Sequence, residues 1–215
     1  MSRRGRFVTL EGPDGSGKST QAVRLADRLQ ATGQTVLLTR EPGGTGAGES
    51  IRDLLQHTPS QQSLCPEAET LLFAASRAQL VHEVIRPALT EGAWVICDRF
   101  ADSTTVYQGA GRGMPLAELE ALRRLATREL EPDLTLLVDV PVQTGRARLA
   151  QRNGAVAPAY DRMEAESIAF HERVRDGYLE LARRCPNRIR VVDGGRAPDA
   201  VADEVWRICR ETLQA

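Results

Sequence analysis

The sequence has few cysteines and no long hydrophobic run. Its four cysteines, Cys65, Cys97, Cys185 and Cys209, lie far apart and form no C-x-x-C pair. This spacing argues against a disulfide framework or a zinc site and indicates reduced thiols. No segment approaches the ~20 consecutive apolar residues of a membrane helix, and the apolar run after the basic N-terminus stops at Glu11, too soon for a signal peptide. We therefore expect a cytoplasmic protein with no membrane partner.

An excess of charge of either sign is also missing. Charged residues make up 27% of the chain and nearly cancel to a net charge of −1, so no global field attracts nucleic acid, and we expect no nucleic-acid partner. The length of 215 residues and the hydrophobic content of 41% predict one compact α/β domain over residues 1–215. If the protein binds phosphate, the binding must come from local clusters of charge rather than from the net charge.

Short apolar runs separated by segments of helical period predict a parallel sheet. The runs cover residues 7–10, 35–39, 94–97, 134–138 and 189–192. After the first run, apolar residues recur at i, i+3, i+4 and i+7: Ala22, Leu25, Ala26 and Leu29. Continuous apolar strands with helices between them predict a five-stranded parallel sheet with helices on both faces. Ligands of such sheets bind at the carboxyl ends of the strands.

The segment between the first predicted strand and the first predicted helix matches the phosphate-loop pattern G-x-x-x-x-G-K-[ST] at residues 12–19. The predicted ATP-binding residues are Gly12, Pro13, Asp14, Gly15, Ser16, Gly17, Lys18, Ser19 and Thr20. Glycines allow successive backbone N–H groups to converge on the β-phosphate. Lys18 then neutralises the β/γ-oxygens and Ser19 binds Mg²⁺. The N-K-x-D motif of GTPases is absent from the sequence, whereas kinases and other ATPases remain open.

Polar residues at the ends of other predicted strands indicate a second phosphate site. Asp98 and Arg99 follow the third strand, where Asp98 can bind Mg²⁺ or its waters and Arg99 a phosphate. The alternative is an exposed ion pair at the strand end. Arg40 follows the second strand in a glycine-rich loop. Phe73 and Arg77 lie one turn apart on a predicted helix, where they could stack on and hydrogen-bond a base, or be core packing plus a surface charge.

Five motifs in order resemble the bacterial thymidylate kinases, a family of P-loop nucleoside monophosphate kinases. They read E-G-x-D-G-x-G-K-S-T, T-R-E-P-G-G-T, L-L-F-A-A-x-R, D-R-F and S-T-T-V-Y-Q-G and lie between residues 11 and 109. The resemblance extends over nearly the whole chain in the family's order. The resemblance implies a three-layer P-loop kinase fold and transfer of the γ-phosphate of ATP to thymidine monophosphate (dTMP), giving dTDP and ADP for dTTP biosynthesis. It also implies Mg²⁺ as cofactor and a homodimer.

The same resemblance implies roles for residues around the monophosphate. Arg40 and Arg99 would bind the acceptor phosphate, and Asp14 would lie near the sugar 3′-hydroxyl. A carboxylate beside phosphates is unfavourable by charge, so we expect Asp14 to orient Arg99 or a sugar hydroxyl. Tyr107 would lie near the 2′ position, and Ser103 belongs to the same motif.

Base recognition is implied for three further residues. Phe73 would stack on thymine, while Arg77 and Gln108 would contact its polar edge. No protein nucleophile is needed, because positioning and charge neutralisation account for most of phosphoryl transfer.

One departure concerns Gly15, which stands where certain members of the family carry a catalytic arginine. The positive charge of that arginine must then come from another residue. Arg148 and Arg152 share a helix face and lead into a Gly/Ala-rich loop at 153–159, which resembles the lid of the bacterial type, about residues 146–162. A solvated basic face is the alternative. The predicted catalytic residues are Lys18, Asp98, Arg99, Arg148 and Arg152.

Two other functions remain open at this point. The chain could phosphorylate another nucleoside monophosphate, such as dUMP, CMP or a damaged nucleotide, with the same phosphate machinery. It could also be a non-catalytic nucleotide-sensing module that retains the phosphate loop.

Overall fold

A computed structural model describes residues 4–57, 64–153 and 161–213 and contains a five-stranded sheet. Its strands are β1 (Phe7–Glu11), β2 (Val36–Arg40), β3 (Trp94–Asp98), β4 (Leu134–Asp139) and β5 (Ile189–Asp193). The strand order is β2-β3-β1-β4-β5, and every neighbouring pair is parallel. The predicted fold class is confirmed, and each predicted strand agrees with the structure to within one residue at either end.

Helices cover both faces of this sheet. They are α1 (Lys18–Ala31), α2 (Gly46–His57), α3 (Pro66–Leu80), α4 (Arg86–Thr90), α5 (Ala101–Thr104), α6 (Leu116–Thr127), α7 (Val142–Asn153), α8 (Ile168–Arg184) and α9 (Pro198–Leu213). Among the described residues, no helix is both long enough and apolar enough to cross a bilayer.

The core consists of apolar clusters on the two sides of β1. Val8 and Leu10 pack under α1 and α9, whereas Phe7 faces the opposite side with the residues of α3 and α4. A strand covered on both faces has no solvent side, and all five residues of β1 are buried. The predicted α1 stripe is confirmed: Ala22, Leu25, Ala26 and Leu29 are all buried.

Two local features shape the side of the fold that carries the predicted motifs. A π-helical segment, Thr105–Gly111, follows α5 and contains Tyr107 and Gln108. π-Helical turns often occur at functional sites. The start of α8 is capped by Ser167, whose hydroxyl accepts the backbone N–H of Phe170 at 3.2 Å.

The register brings the predicted polar residues to one edge of the sheet. Asp98 pairs with Leu10 of β1 on one side and with Arg40 of β2 on the other. Of the predicted lid, residues 154–160 lie outside the described part of the chain. The segment after it returns to α2, where the backbone N–H of Arg162 donates to Gln56 O at 3.4 Å.

Candidate active site

The phosphate-loop motif connects β1 to α1. The loop begins at Gly12, directly after β1, and Gly17 takes the N-cap position of α1 with a φ of 94°. Lys18 is the first helical residue and is buried; it is also the only lysine of the chain. The loop therefore concentrates backbone N–H groups and one buried ammonium at a helix N-terminus, which is an arrangement suited to phosphate.

Gly15 is in direct contact with the backbone of α7. Its φ is 75°, and a Cβ atom at Gly15 would lie 2.2 Å from the carbonyl oxygen of Gly145. The approach is mutual, because a Cβ atom at Gly145 would lie 2.4 Å from the carbonyl oxygen of Asp14. Helix α7 thus packs on the loop itself, and Nη1 of its Arg148 lies 3.4 Å from Ser16 O. A side chain at Gly15 has no room unless α7 moves.

A cleft of about 290 Å³ opens beside the loop, at the carboxyl ends of β2 and β3. The predicted residues that line it are Asp14, Lys18, Ser19, Arg40, Phe73, Asp98, Arg99, Ser103, Tyr107, Gln108 and Arg152. Arg77 and Arg148 do not line it, and the loop contributes only the three residues named. The structure thus brings most predicted side chains of the monophosphate site into one cleft beside the phosphate loop.

Asp14 connects the phosphate loop to Arg99. Its carboxylate is ion-paired with Nη2 of Arg99, lies 3.7 Å from Nζ of Lys18, and accepts a hydrogen bond from the Tyr107 hydroxyl at 2.9 Å. Burial alone would raise the pKa of Asp14, but Arg99, Lys18 and the Tyr107 hydroxyl lower it to about 2. Asp14 is therefore a carboxylate at neutral pH, held where it fixes the guanidinium of Arg99.

Glu11 was missed by the sequence reasoning. It is buried at the end of β1 and accepts three hydrogen bonds at 2.7 Å, from the backbone N–H of Phe100 and the hydroxyls of Ser103 and Tyr178. Burial and nearby Asp102 raise its pKa, against the charge of Arg99. The turn after β3 is strained, since Arg99 has a φ of 71°, and Glu11 holds that turn in place. A carboxylate directly before the phosphate loop was the available signal.

Arg77 and Glu41 form a buried ion pair at the cleft, in which Glu41 lines the cleft and Arg77 lies beneath it. Arg77 is 2% exposed; its Nε donates to Glu41 at 2.8 Å, and Nη2 donates to Phe100 O and Thr104. Burial raises the pKa of Glu41 to about 7, against the opposing effect of Arg77. The alternative expectation of a surface charge at Arg77 is wrong. Among the described residues, Nη1 of Arg77 has no hydrogen-bond partner.

Asp98 and Ser19 supply oxygen atoms to the same cleft. Asp98 is the last residue of β3 rather than the residue after it. Its Oδ1 is buried and has no hydrogen-bond partner in the described chain, and Arg99 pairs with Asp14 instead. The alternative of an exposed Asp98–Arg99 ion pair is therefore wrong. A carboxylate oxygen left without a donor, together with a serine hydroxyl, fits a magnesium ion that arrives with nucleotide phosphates.

Two further cations line the cleft. Arg52 of α2, also missed from the sequence, donates to Pro42 O at 3.0 Å; burial and the neighbouring charge of Arg40 lower its pKa. Its only sequence signal was an arginine on the helix after the Arg40 loop. Arg152 of α7 is mostly exposed and pairs with Glu164 at 2.8 Å. Both arginines therefore line the same cleft as Arg40 and Arg99.

Known proteins resemble this chain over nearly its full length. The family model for thymidylate kinase matches residues 10–205. A thymidylate kinase of Thermomicrobium roseum is 50% identical over 208 residues, which cover 97% of this chain and 96% of that protein, and one of Syntrophotalea carbinolica is 51% identical over 93% of each. The crystal structure of thymidylate kinase from Ehrlichia chaffeensis has a TM-score of 0.76 and 34% identity, and covers 96% of this chain and 99% of that one. The chain therefore belongs to the thymidylate kinase family.

Proposed function

We propose that this protein transfers the γ-phosphate of ATP to dTMP and forms dTDP and ADP, a step in dTTP biosynthesis. The observation that carries the proposal is the Lys18–Asp14–Arg99 connection, in which Asp14 contacts both cations. Lys18 belongs to a phosphate loop and Arg99 to the opposite wall of the cleft, so donor and acceptor phosphates would be neighbours. The choice of thymine as the base rests on the relatives, which are named thymidylate kinases. These names do not favour another pyrimidine monophosphate.

Charge neutralisation would carry most of the chemistry. Lys18 would bind the β- and γ-phosphates, while Arg40, Arg52 and Arg99 would bind the acceptor phosphate and hold its oxygen in line with the γ-phosphorus. Asp14, ionised at neutral pH, would keep Arg99 in that position rather than take part in proton transfer.

The arginines of α7 would meet the charge that develops during transfer. Arg148 lies against the phosphate loop and Arg152 lines the cleft. This supports a role for both in place of the loop arginine that Gly15 excludes. Substitution of either residue by Ala should lower kcat more than the affinity for dTMP.

The base and sugar would lie along the far wall of the cleft. Phe73 would stack on thymine, with Gln108 and Nη1 of Arg77 at its polar edge. Ser103 and Tyr107 would lie against the sugar and phosphate. Their common position in the cleft supports this for all except Arg77, which lies beneath it.

Mg²⁺ is the proposed cofactor, with Asp98 and Ser19 as its protein partners. When bound with ATP, the ion would neutralise phosphate charge. The buried Oδ1 of Asp98, which has no hydrogen-bond partner among the described residues, supports this assignment. An Asp98→Asn variant should need a higher Mg²⁺ concentration for half-maximal rate, and an unchanged magnesium dependence would remove Asp98 from the site.

We also propose a cytoplasmic homodimer. All four cysteines are free thiols, as a reducing compartment requires, and fractionation of cells that carry a tagged chain tests the location. Helices α3 and α6, which contact each other, expose Leu71, Leu116 and Leu125 at 58%, 54% and 77%. These leucines support an interface between copies. Light scattering should give twice the mass of the chain, and the mass of a single chain would contradict the proposal.

A panel of monophosphates tests the main proposal. dTMP should be phosphorylated with the highest kcat/KM among dTMP, dUMP, dCMP and UMP, with ADP formed in equal amount. A preference for another member of the panel would replace dTMP as the substrate. Binding of ATP without turnover on any of them would instead favour a nucleotide-sensing module.

A further inference from the structure

Glu69 of α3 is the centre of a charged group beside the cleft. It is 1% exposed, and its carboxylate accepts Nε2 of Gln108 at 2.8 Å, accepts Nη2 of Arg112 at 3.1 Å and pairs with Nη1 of Arg162 at 2.6 Å. Glu166 pairs with Arg112 at 2.6 Å. These five residues are called the Glu69 cluster below. Two other segments of the chain, one with Gln108 and Arg112 and one with Arg162, therefore converge on the buried carboxylate of α3.

The cluster decides which end of the Gln108 amide faces the cleft. Burial favours the neutral form of Glu69, but the hydrogen bonds from Arg112 and Gln108 and the charge of Arg162 lower its pKa. An ionised carboxylate only accepts hydrogen bonds, so the amide nitrogen of Gln108 must face it. The carbonyl oxygen is left, and no donor among the described residues reaches it. Gln108 lines the cleft, so its carbonyl oxygen is the atom available to a ligand.

A fixed acceptor distinguishes pyrimidines by the state of ring atom N3. Thymine and uracil carry a hydrogen on N3 and an oxygen on C4. Cytosine has a lone pair on N3 and an amino group on C4. An acceptor from Gln108 at N3 and a donor from Arg77 at the C4 substituent match thymine and uracil. The same two groups are mismatched to cytosine at both positions.

We propose that Glu69 is a specificity-positioning residue, which locks the amide of Gln108 so that bases with N3–H are accepted and cytosine is rejected. The proposal rests on the function proposed above, in which Gln108 meets the base. Glu69 does not touch the substrate and acts only through Gln108.

The experiment compares kcat/KM for dTMP, dUMP and dCMP in the wild type and in Glu69→Gln. A glutamine at this position can donate as well as accept, so the Gln108 amide is free to rotate and present its nitrogen to cytosine. We expect the dTMP-to-dCMP ratio to fall roughly tenfold or more. The dTMP-to-dUMP ratio should stay within about twofold, because these two bases differ only by a methyl group and share N3–H.

Glu166→Gln is the matched control. It removes a carboxylate from the same cluster and from the same arginine, Arg112, but it does not contact Gln108. Both substrate ratios should remain at their wild-type values in this variant. If Glu69→Gln does not fold, Glu69→Asp keeps the charge for Arg112 and Arg162 but is one methylene too short to hold Gln108, and it should narrow the dTMP-to-dCMP ratio in the same way.

The outcomes separate this proposal from the main one. A folded Glu69 variant with an unchanged dTMP-to-dCMP ratio overturns the role of Glu69 while leaving the dTMP kinase function intact. An equal loss of kcat/KM on all three substrates also overturns the role of Glu69, since a purely structural role gives that result. A wild type with no preference for dTMP over dCMP defeats the main proposal and this one together.

Discussion

The two sides of the cleft are built from different materials. The phosphate loop is mostly backbone, with glycines, main-chain N–H groups and a single lysine. The opposite side, called the acceptor wall here, is made of buried polar side chains that contact one another: Glu11, Arg99, Tyr107 and Tyr178. Asp14 of the loop joins the wall through Arg99 and Tyr107. The loop comes from one short segment, whereas the wall is assembled from residues up to 167 positions apart.

This difference determines how each side can fail. A loop of close-packed backbone is sensitive to added volume, because a methyl group at the wrong glycine meets a carbonyl oxygen. A wall of buried charges is sensitive to removal, because deleting one partner leaves another charge uncompensated. Substitutions on the two sides should therefore differ in kind as well as in size.

The largest effect should come from Lys18→Ala. The loop backbone can still form, but the charge on the β- and γ-phosphates is no longer neutralised, so kcat/KM for dTMP should fall by ~10³-fold or more. Steady-state kinetics at saturating Mg²⁺ measures the loss, and circular dichroism checks the fold. Turnover close to wild type in a folded variant would remove Lys18 from the phosphate site.

The next effect compares two glycines of the loop. Gly15→Ala combines a φ of 75° with a Cβ atom 2.2 Å from Gly145 O. At Gly17 the φ is 94°, but a Cβ atom would meet no neighbouring atom of the described residues within 4 Å. We expect Gly15→Ala to lower the free energy of unfolding by roughly 2–5 kcal/mol and Gly17→Ala by only about 1–2 kcal/mol. Urea denaturation measures both. Equal losses would mean that the contact with α7 contributes nothing.

The stability of the protein should depend on pH through Glu41, the partner of Arg77. Its pKa is raised from 4.5 to about 7 in the folded protein, so between these values the folded chain retains a proton that the unfolded chain has released. Relative to Glu41→Gln, the wild type should therefore lose up to about 3 kcal/mol of stability as the pH rises from 4.5 to 7. Denaturation of both proteins across this range gives the difference, and a flat difference curve would contradict the raised pKa.

The smallest effect distinguishes the contribution of the Tyr107 ring from that of its hydroxyl. Tyr107→Phe loses the hydrogen bond to Asp14 and should lower kcat/KM by roughly tenfold while leaving the dUMP-to-UMP ratio unchanged. Tyr107→Ala removes the ring that would exclude a 2′-hydroxyl and should narrow that ratio. If the ratio in Tyr107→Ala equals that of the wild type, the preference for deoxyribose arises elsewhere.

The sequence predicted the loop side of the site well because its signals are local. The phosphate-loop residues are contiguous, the strands are continuous apolar runs, and the helical stripe of α1 repeats within two turns. Each of these is decided by neighbours in the chain. The placement of Asp98 and Arg99 at the sheet edge followed from the same local logic.

The acceptor wall could be predicted only in part, because its partners are distant in sequence. Nothing near Tyr178 indicates that its hydroxyl donates to Glu11, and nothing near Arg77 indicates that Glu41 buries it. The resemblance named Gln108 but not Glu69, which fixes it. Tertiary pairing of buried charges has no short-range pattern, and only the structure reveals it.

The burial of Lys18 has a consequence for chemical labelling. Burial and the charge of Arg99 lower its pKa, which leaves more of its amine unprotonated and nucleophilic near neutral pH than an ordinary surface lysine. Because the chain has no second lysine, an amine-directed reagent carried by a nucleotide analogue should modify one side chain. Bound ATP should shield that side chain, so the extent of labelling in a mass spectrum would report occupancy of the loop without an engineered tag.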